Sequence, residues 1–169
     1  MIDPFIQLAF NIHSSPGVFA LLLGSGVSRS AGIPTGWEVM LDLIRKVAVL
    51  ESAACEPDPE KWYAERYGED PNYPSLLDRL APTSALRQQL LRAYFEPTDE
   101  EWEEGKKVPT RAHHAIASLV RSGGLRVIIT TNFDRLIETA LEAGGITPTI
   151  ISSPDDVDGA TPIVHPVAP

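Results

Sequence analysis

The sequence holds one cysteine, Cys55, in 169 residues. That excludes an intrachain disulfide framework and any zinc site built on four cysteines, and it agrees with a reducing cytoplasm. Long hydrophobic runs are also missing, so no segment reads as a membrane span. The first residues carry Asp3 and no basic stretch, which does not read as a secretion signal. Basic clusters are scarce as well: Lys106-Lys107 stands alone beside an acidic run, and the net charge is −9. A chain that recognises nucleic acid needs clustered Lys and Arg to meet phosphates, so direct nucleic-acid binding is excluded as the main function. The acidity reads as solubility.

With 43% hydrophobic and 22% charged residues, the chain suits one globular domain with a core of its own. Asp3-Pro4 reads as an N-cap followed by proline at the first helical position, opening a short helix to about His13. Residues 18–23 are apolar throughout rather than alternating, the pattern of a strand covered on both faces. Thr35 and Glu38 stand in capping-box spacing, and Trp37, Met40, Leu41, Ile44, Val47 and Ala48 recur at helical spacing, predicting a helix over 36–50. A helical excursion over about 51–108 follows. It includes a helix over 84–95 and an acidic stretch, 97–107, that reads as a solvated loop. A helix over 110–121, a Ser122-Gly123-Gly124 break and a second strand over 126–130 come next. The helix after Asn132 stops at Gly144-Gly145, and residues 147–151 read as a third strand. Strands alternating with helices predict an α/β fold with a mostly parallel sheet flanked by helices.

Two segments carry chemistry. The first strand empties into Gly24-Ser25-Gly26-Val27-Ser28-Arg29-Ser30-Ala31-Gly32-Ile33-Pro34. A strand, a glycine turn and a helix start together suit a phosphate, because backbone N–H groups converge where no side chain blocks approach. The second strand delivers Thr130-Thr131-Asn132-Phe133-Asp134 to its own C-terminal end. Ligands on parallel sheets sit outside those ends. Each residue also has a plainer reading: Asn132 as a cap of the helix that follows, Asp134 as a favourable charge in a first helical turn, Arg29 as a surface charge. His113 and His114 lack metal-like partner spacing and read as structural, and the tryptophans read as packing residues.

These strings resemble the sirtuin signatures Gly-Ala-Gly-x-Ser, Ala/Ser-Gly-Ile-Pro and Thr-Gln-Asn-Ile-Asp. They are more similar still to the sirtuin-like domains of bacterial antiviral-defence proteins, whose second motif reads Thr-Thr-Asn-Phe-Asp. Pro109-Thr110-Arg111-Ala112-His113 and Ser153-Pro154-Asp155-Asp156 also look like that subgroup. The resemblance runs from about Val18 to His165 and implies a Rossmann-like NAD-binding domain that hydrolyses NAD to nicotinamide and ADP-ribose. By that likeness Gly24, Ser25 and Gly26 approach the pyrophosphate, with Ser28 in the same loop and Arg29 as a phosphate partner. Asn132 is the catalytic candidate, holding the ribose or the attacking water. Asp134 meets the nicotinamide carboxamide, and Thr131 joins the cofactor-binding set. Neither zinc nor a membrane partner is implied; a fused effector or sensor domain and a homo-oligomer are compatible with it.

The match breaks in three places. The four zinc cysteines of deacylating sirtuins are absent. Thr35-Gly36-Trp37 stands where Phe-Arg follows Ile-Pro. The family's His-Gly pair is missing, since His165 precedes Pro166. The domain is therefore expected to be incomplete at its C-terminal end, a fragment of a longer protein. The alternatives to hydrolysis are a module that binds NAD or an ADP-ribose derivative without turning it over, and a ligand-free interaction domain.

Overall fold

The computed structural model describes residues 3–160, the side chain of Pro154 excepted; His165 lies outside them. The order of elements is α1 (Pro4–Ser14), β1 (Phe19–Leu23), a 3-10 helix (Ser25–Ala31), α2 (Gly36–Leu50), α3 (Pro59–Tyr67), α4 (Tyr73–Leu80), α5 (Ser84–Phe95), α6 (Asp99–Glu103), α7 (Arg111–Arg121), β2 (Leu125–Thr130), α8 (Leu136–Ala143) and α9 (Pro154–Gly159). They form two compact units, Met1–Val27 with Pro109–Pro169, and Ser28–Val108. The expected excursion 51–108 lies inside the second unit, which also takes in α2.

The first unit is built on a parallel pair, with Ala20 opposite Val127, Leu22 opposite Ile129 and Leu23 opposite Thr130. Leu23 and Ile128 pack on a small core of Ala117, Ile137, Ala140 and Leu141 from α7 and α8. The expected caps are present: the Asp3 side chain accepts from Phe5 N–H at 2.8 Å. Gly123 and Gly145, both at positive φ, close α7 and α8 in the left-handed conformation that favours glycine. The chain enters β1 through Gly17, whose φ of +74° is matched by the Arg126 side chain lying where a Cβ would stand.

Two expectations are corrected here. Residues 147–151 form no strand: Pro148 offers no N–H, and a strand exists only where a neighbouring backbone pairs with it. The sheet of the described residues therefore has two strands. Nor is β1 covered on both faces. Its exposure alternates, and Leu22 is 70% exposed with Ile129 beside it at 55%. Apolar composition reported the strand correctly but not how many layers cover it, because covering depends on which elements stack.

The second unit is helical. Val39, Leu43, Ile44, Val47, Tyr63 and Leu76 form its core, with Tyr73, Leu90, Tyr94 and Phe95 packed around it. The capping box of α2 is present: Thr35 N–H donates to Glu38 Oε2 at 2.7 Å, and Glu38 N–H to Thr35 Oγ1 at 3.3 Å. Tyr94 Oη bonds Asp42, as does Lys46 Nζ; burial and the Asp42 carboxylate together push the Tyr94 hydroxyl far above its usual value. The acidic stretch is not simply a solvated loop. It folds as α6 through the Thr98–Glu101 capping box, and Glu101 turns inward to Lys107. The buried Lys107 ammonium donates to Ala93 O (2.9 Å), Glu96 O (3.2 Å) and Glu101 Oε2 (2.9 Å), while its N–H meets Ala31 O at 2.6 Å. The last residues of the unit are thereby tied to its first.

Candidate functional site

Parallel pairing decides where the two marked segments end up. Because β1 and β2 run the same way with Leu23 opposite Thr130, their C-terminal ends coincide. The ladder continues one residue beyond, with Thr131 N–H donating to Leu23 O at 3.1 Å. The Gly24–Gly26 turn and the Thr131–Asp134 turn therefore leave neighbouring strand ends inside one unit.

The first turn passes directly into a 3-10 helix rather than an α-helix, with Val27 N–H bonded to Gly24 O at 3.2 Å. A Cβ added at Gly24 or Gly26 would meet nothing within 4 Å, and neither glycine sits at positive φ. Neither packing nor backbone conformation within the chain calls for glycine at these two positions. Gly32, by contrast, needs its left-handed φ of +81°.

In the second turn Asn132 N–H donates to Thr130 Oγ1 at 3.0 Å, and the Asn132 side-chain oxygen is shielded from solvent. Asn132 does not cap the next helix: α8 begins at Leu136 with Arg135 at its N-cap. Asp134 is buried, and its Oδ1 accepts from Leu136 N–H at 3.1 Å, so its carboxylate secures the start of α8. The plainer reading of Asp134 thus has a contact behind it. Thr131 is exposed. So is Phe133, at 74%, a feature its composition did not signal.

His113, on α7, is buried. Its Nδ1 accepts from Thr110 N–H at 3.1 Å, as the third helical residue of a capping box does when it is Glu or Gln. Burial holds the imidazole below its usual value, against the opposing charge of Asp134. It is therefore neutral, with its proton on Nε2.

No protein-family model matches the chain, and no match is found among curated proteins.

In the second unit Ser28 is wholly buried, whereas the Arg29 side chain is 68% exposed. Arg29 Nη2 donates to Glu38 Oε1 at 2.9 Å. Glu38 was readable only as half of a capping box; its second contact depends on where the 3-10 helix carries Arg29. Trp37, next to it, is exposed rather than packed.

Among the described residues no group of three or more His, Cys, Asp or Glu is placed to hold a metal ion, and no helix is long and apolar enough to cross a membrane. An apolar cavity of about 500 Å³ lies between α1 and the end of α7, lined by Phe5, Leu8, Ile12, Leu119 and Gly124. It sits by the residues that enter the strands, away from the two turns.

Proposed function

We propose that the chain is the nucleotide-holding part of a Rossmann-like, sirtuin-type domain that binds NAD and, in its full context, hydrolyses it to nicotinamide and ADP-ribose. One observation carries the reading: the Leu23–Thr130 pairing, extended by the Thr131–Leu23 hydrogen bond, makes a bare glycine turn and an Asn-bearing turn neighbours at the carboxyl ends of parallel strands. Ligands of α/β sheets bind at that end. The glycines add support. With no reason for them inside the chain, close approach of a ligand to the backbone supplies one.

The chemistry asks little of the protein beyond positioning. The N–H groups of Gly24, Ser25 and Gly26 meet the pyrophosphate. The Asn132 amide, donor and acceptor at once, orients a ribose hydroxyl and a water. The bond from ribose to nicotinamide breaks with its electron pair leaving on the neutral ring, positive charge develops on the sugar, and water adds there and releases a proton. Asp134 supports this indirectly by fixing the turn that presents Asn132. Depletion of NAD during antiviral defence is the setting the resemblance implies.

A second reading, binding without turnover, is favoured by His113. This histidine, which feels the Asp134 charge, is neutral with Nδ1 committed to Thr110, so it is not arranged as a base. Incubation with NAD, following nicotinamide release by chromatography and binding by calorimetry, separates the two. Release that falls at least 100-fold in Asn132→Ala, with binding retained, supports hydrolysis. Binding without release favours the sensor, and absence of both removes the dinucleotide reading.

A further inference from the structure

We propose that the α1 face of the first unit is where a second copy of this chain docks, two α1 helices packing about a two-fold axis with Phe10 of each entering the apolar cavity of the other. The inference goes beyond the NAD-binding reading and does not depend on it. α1 is more apolar than one contact face needs. At about 100° per residue, Leu8, Ile12, Phe5, Ala9, Ile6 and Phe10 spread over an arc of about 200°, with His13 the one polar residue among them and Gln7, Asn11 and Ser14 lying opposite. A helix packed on one side carries an arc nearer to about 100°. One packed side is evident: Ile12 leans on Gly124, where an added Cβ would stand 3.0 Å from Ile12 Cγ2. Even so, no residue of α1 is buried. Phe5 is 81% and Phe10 67% exposed, and Ile6 and Leu8 are open as well. The two rings alone offer on the order of 300 Å². One side of a standard interface buries about 800 Å², a little over half of it nonpolar, so α1 supplies most of that nonpolar share.

Charge selects the occupant. No Asp, Glu, Lys or Arg occurs between Asp3 and Arg29, and no acid between Glu104 and Asp134. Those two stretches supply α1 and α7. A chain of net charge −9 repels its own copies unless they meet where its acids are absent, and this surface meets that condition. An anionic membrane asks for Lys or Arg along the polar face of the helix; on α1 that face is uncharged. Shape agrees with a second copy. A two-fold contact requires projection and recess on one patch, since each copy presents the same surface. Phe5, Leu8 and Ile12 wall the cavity of about 500 Å³ against Leu119, Ser122 and Gly124. Phe10, one stripe over on the same helix, stands out in solvent. The recess is apolar and has room for a phenyl ring.

Sedimentation equilibrium of the full chain from about 1 to about 100 μM tests the idea, since interfaces of this size reach affinities in that range. Wild type is expected to be dimeric at the upper end. Phe10→Glu should raise the dissociation constant at least about 100-fold with an unchanged circular-dichroism spectrum, because an aromatic anchor is lost and each substitution enters the contact twice. Ser122→Trp, which fills the cavity, should weaken the dimer about tenfold or more. Leu22→Glu, on the open sheet face, should leave it intact. Hydrogen exchange of wild type needs no variant: it should slow in α1, and not in α5, as concentration rises. A wild type that stays monomeric to about 100 μM, a dimer that survives Phe10→Glu or Ser122→Trp, a dimer abolished by Leu22→Glu, or exchange in α1 that ignores concentration would each overturn the inference. So would a monomer that sediments with vesicles of phosphatidylcholine and phosphatidylglycerol and is released from them by Phe10→Glu, which would make the occupant a membrane.

Discussion

The two units of this protein spend their residues differently. The helical unit, Ser28–Val108, closes over large side chains, with Tyr63, Leu43, Ile44 and Leu76 almost without exposure. It locks its ends with a buried lysine. The strand unit rests on alanines and short aliphatics under one face of a two-stranded sheet and leaves Leu22 and Ile129 open on the other. Two strands alone are marginal in water, yet both polar turns of the proposed dinucleotide site spring from them. The larger core and the two turns of the proposed site are thus carried by different parts of the chain.

The contrast can be broken most sharply at Lys107. Lys107→Ala leaves two carbonyls and the Glu101 carboxylate without their cation, in a position only 8% exposed at the lysine side chain. A loss of about 3 kcal/mol is expected, measured by urea denaturation; a loss under about 1 kcal/mol would remove the lock. Gly26→Ala should do the reverse. Its added methyl meets open space, so melting should hold or rise slightly, while NAD affinity falls about tenfold because the backbone is no longer approachable. Unchanged affinity would count against the turn as a phosphate site.

Acid should affect the two units over different ranges. The folded state disfavours protonated His113, so the unfolded chain binds more protons once pH drops below about 6.5, and stability falls with pH from there. In the helical unit Glu38 and Glu101 titrate below their usual 4.5, so their contribution is present above that value and is lost only on further acidification. Hydrogen exchange between pH 7 and 5 should therefore loosen α7 before α2, and His113→Gln should flatten that limb; simultaneous loosening would sink the distinction. The smallest effect is expected at Leu22→Ser on the open face, within about 0.5 kcal/mol. A loss above 1.5 kcal/mol would mean that this face is covered in solution.

Much of the fold was legible because its causes are local. The bounds of α2 and α5, the Thr35–Glu38 box and the Asp3-Pro4 start follow from caps and helical spacing, which act within four residues. The third strand was misread because an apolar, β-branched stretch states a preference, whereas a strand needs a partner backbone. The site was legible as two motifs. The burial of Asp134 and Ser28 and the grip of Glu38 on Arg29 were not, because each depends on residues brought together by folding.

By itself the sequence determined where helices start and stop, that β1 and β2 would be strands, and that polar groups would gather at their C-terminal ends. All of these follow from side-chain periodicity and hydrogen bonding over a few residues. Only the tertiary structure decided that the two turns leave adjacent strand ends, that one sheet face stays open, and which carboxylates hold helices rather than face solvent. Such facts arise from contacts between residues far apart in the chain, whose geometry no local pattern encodes.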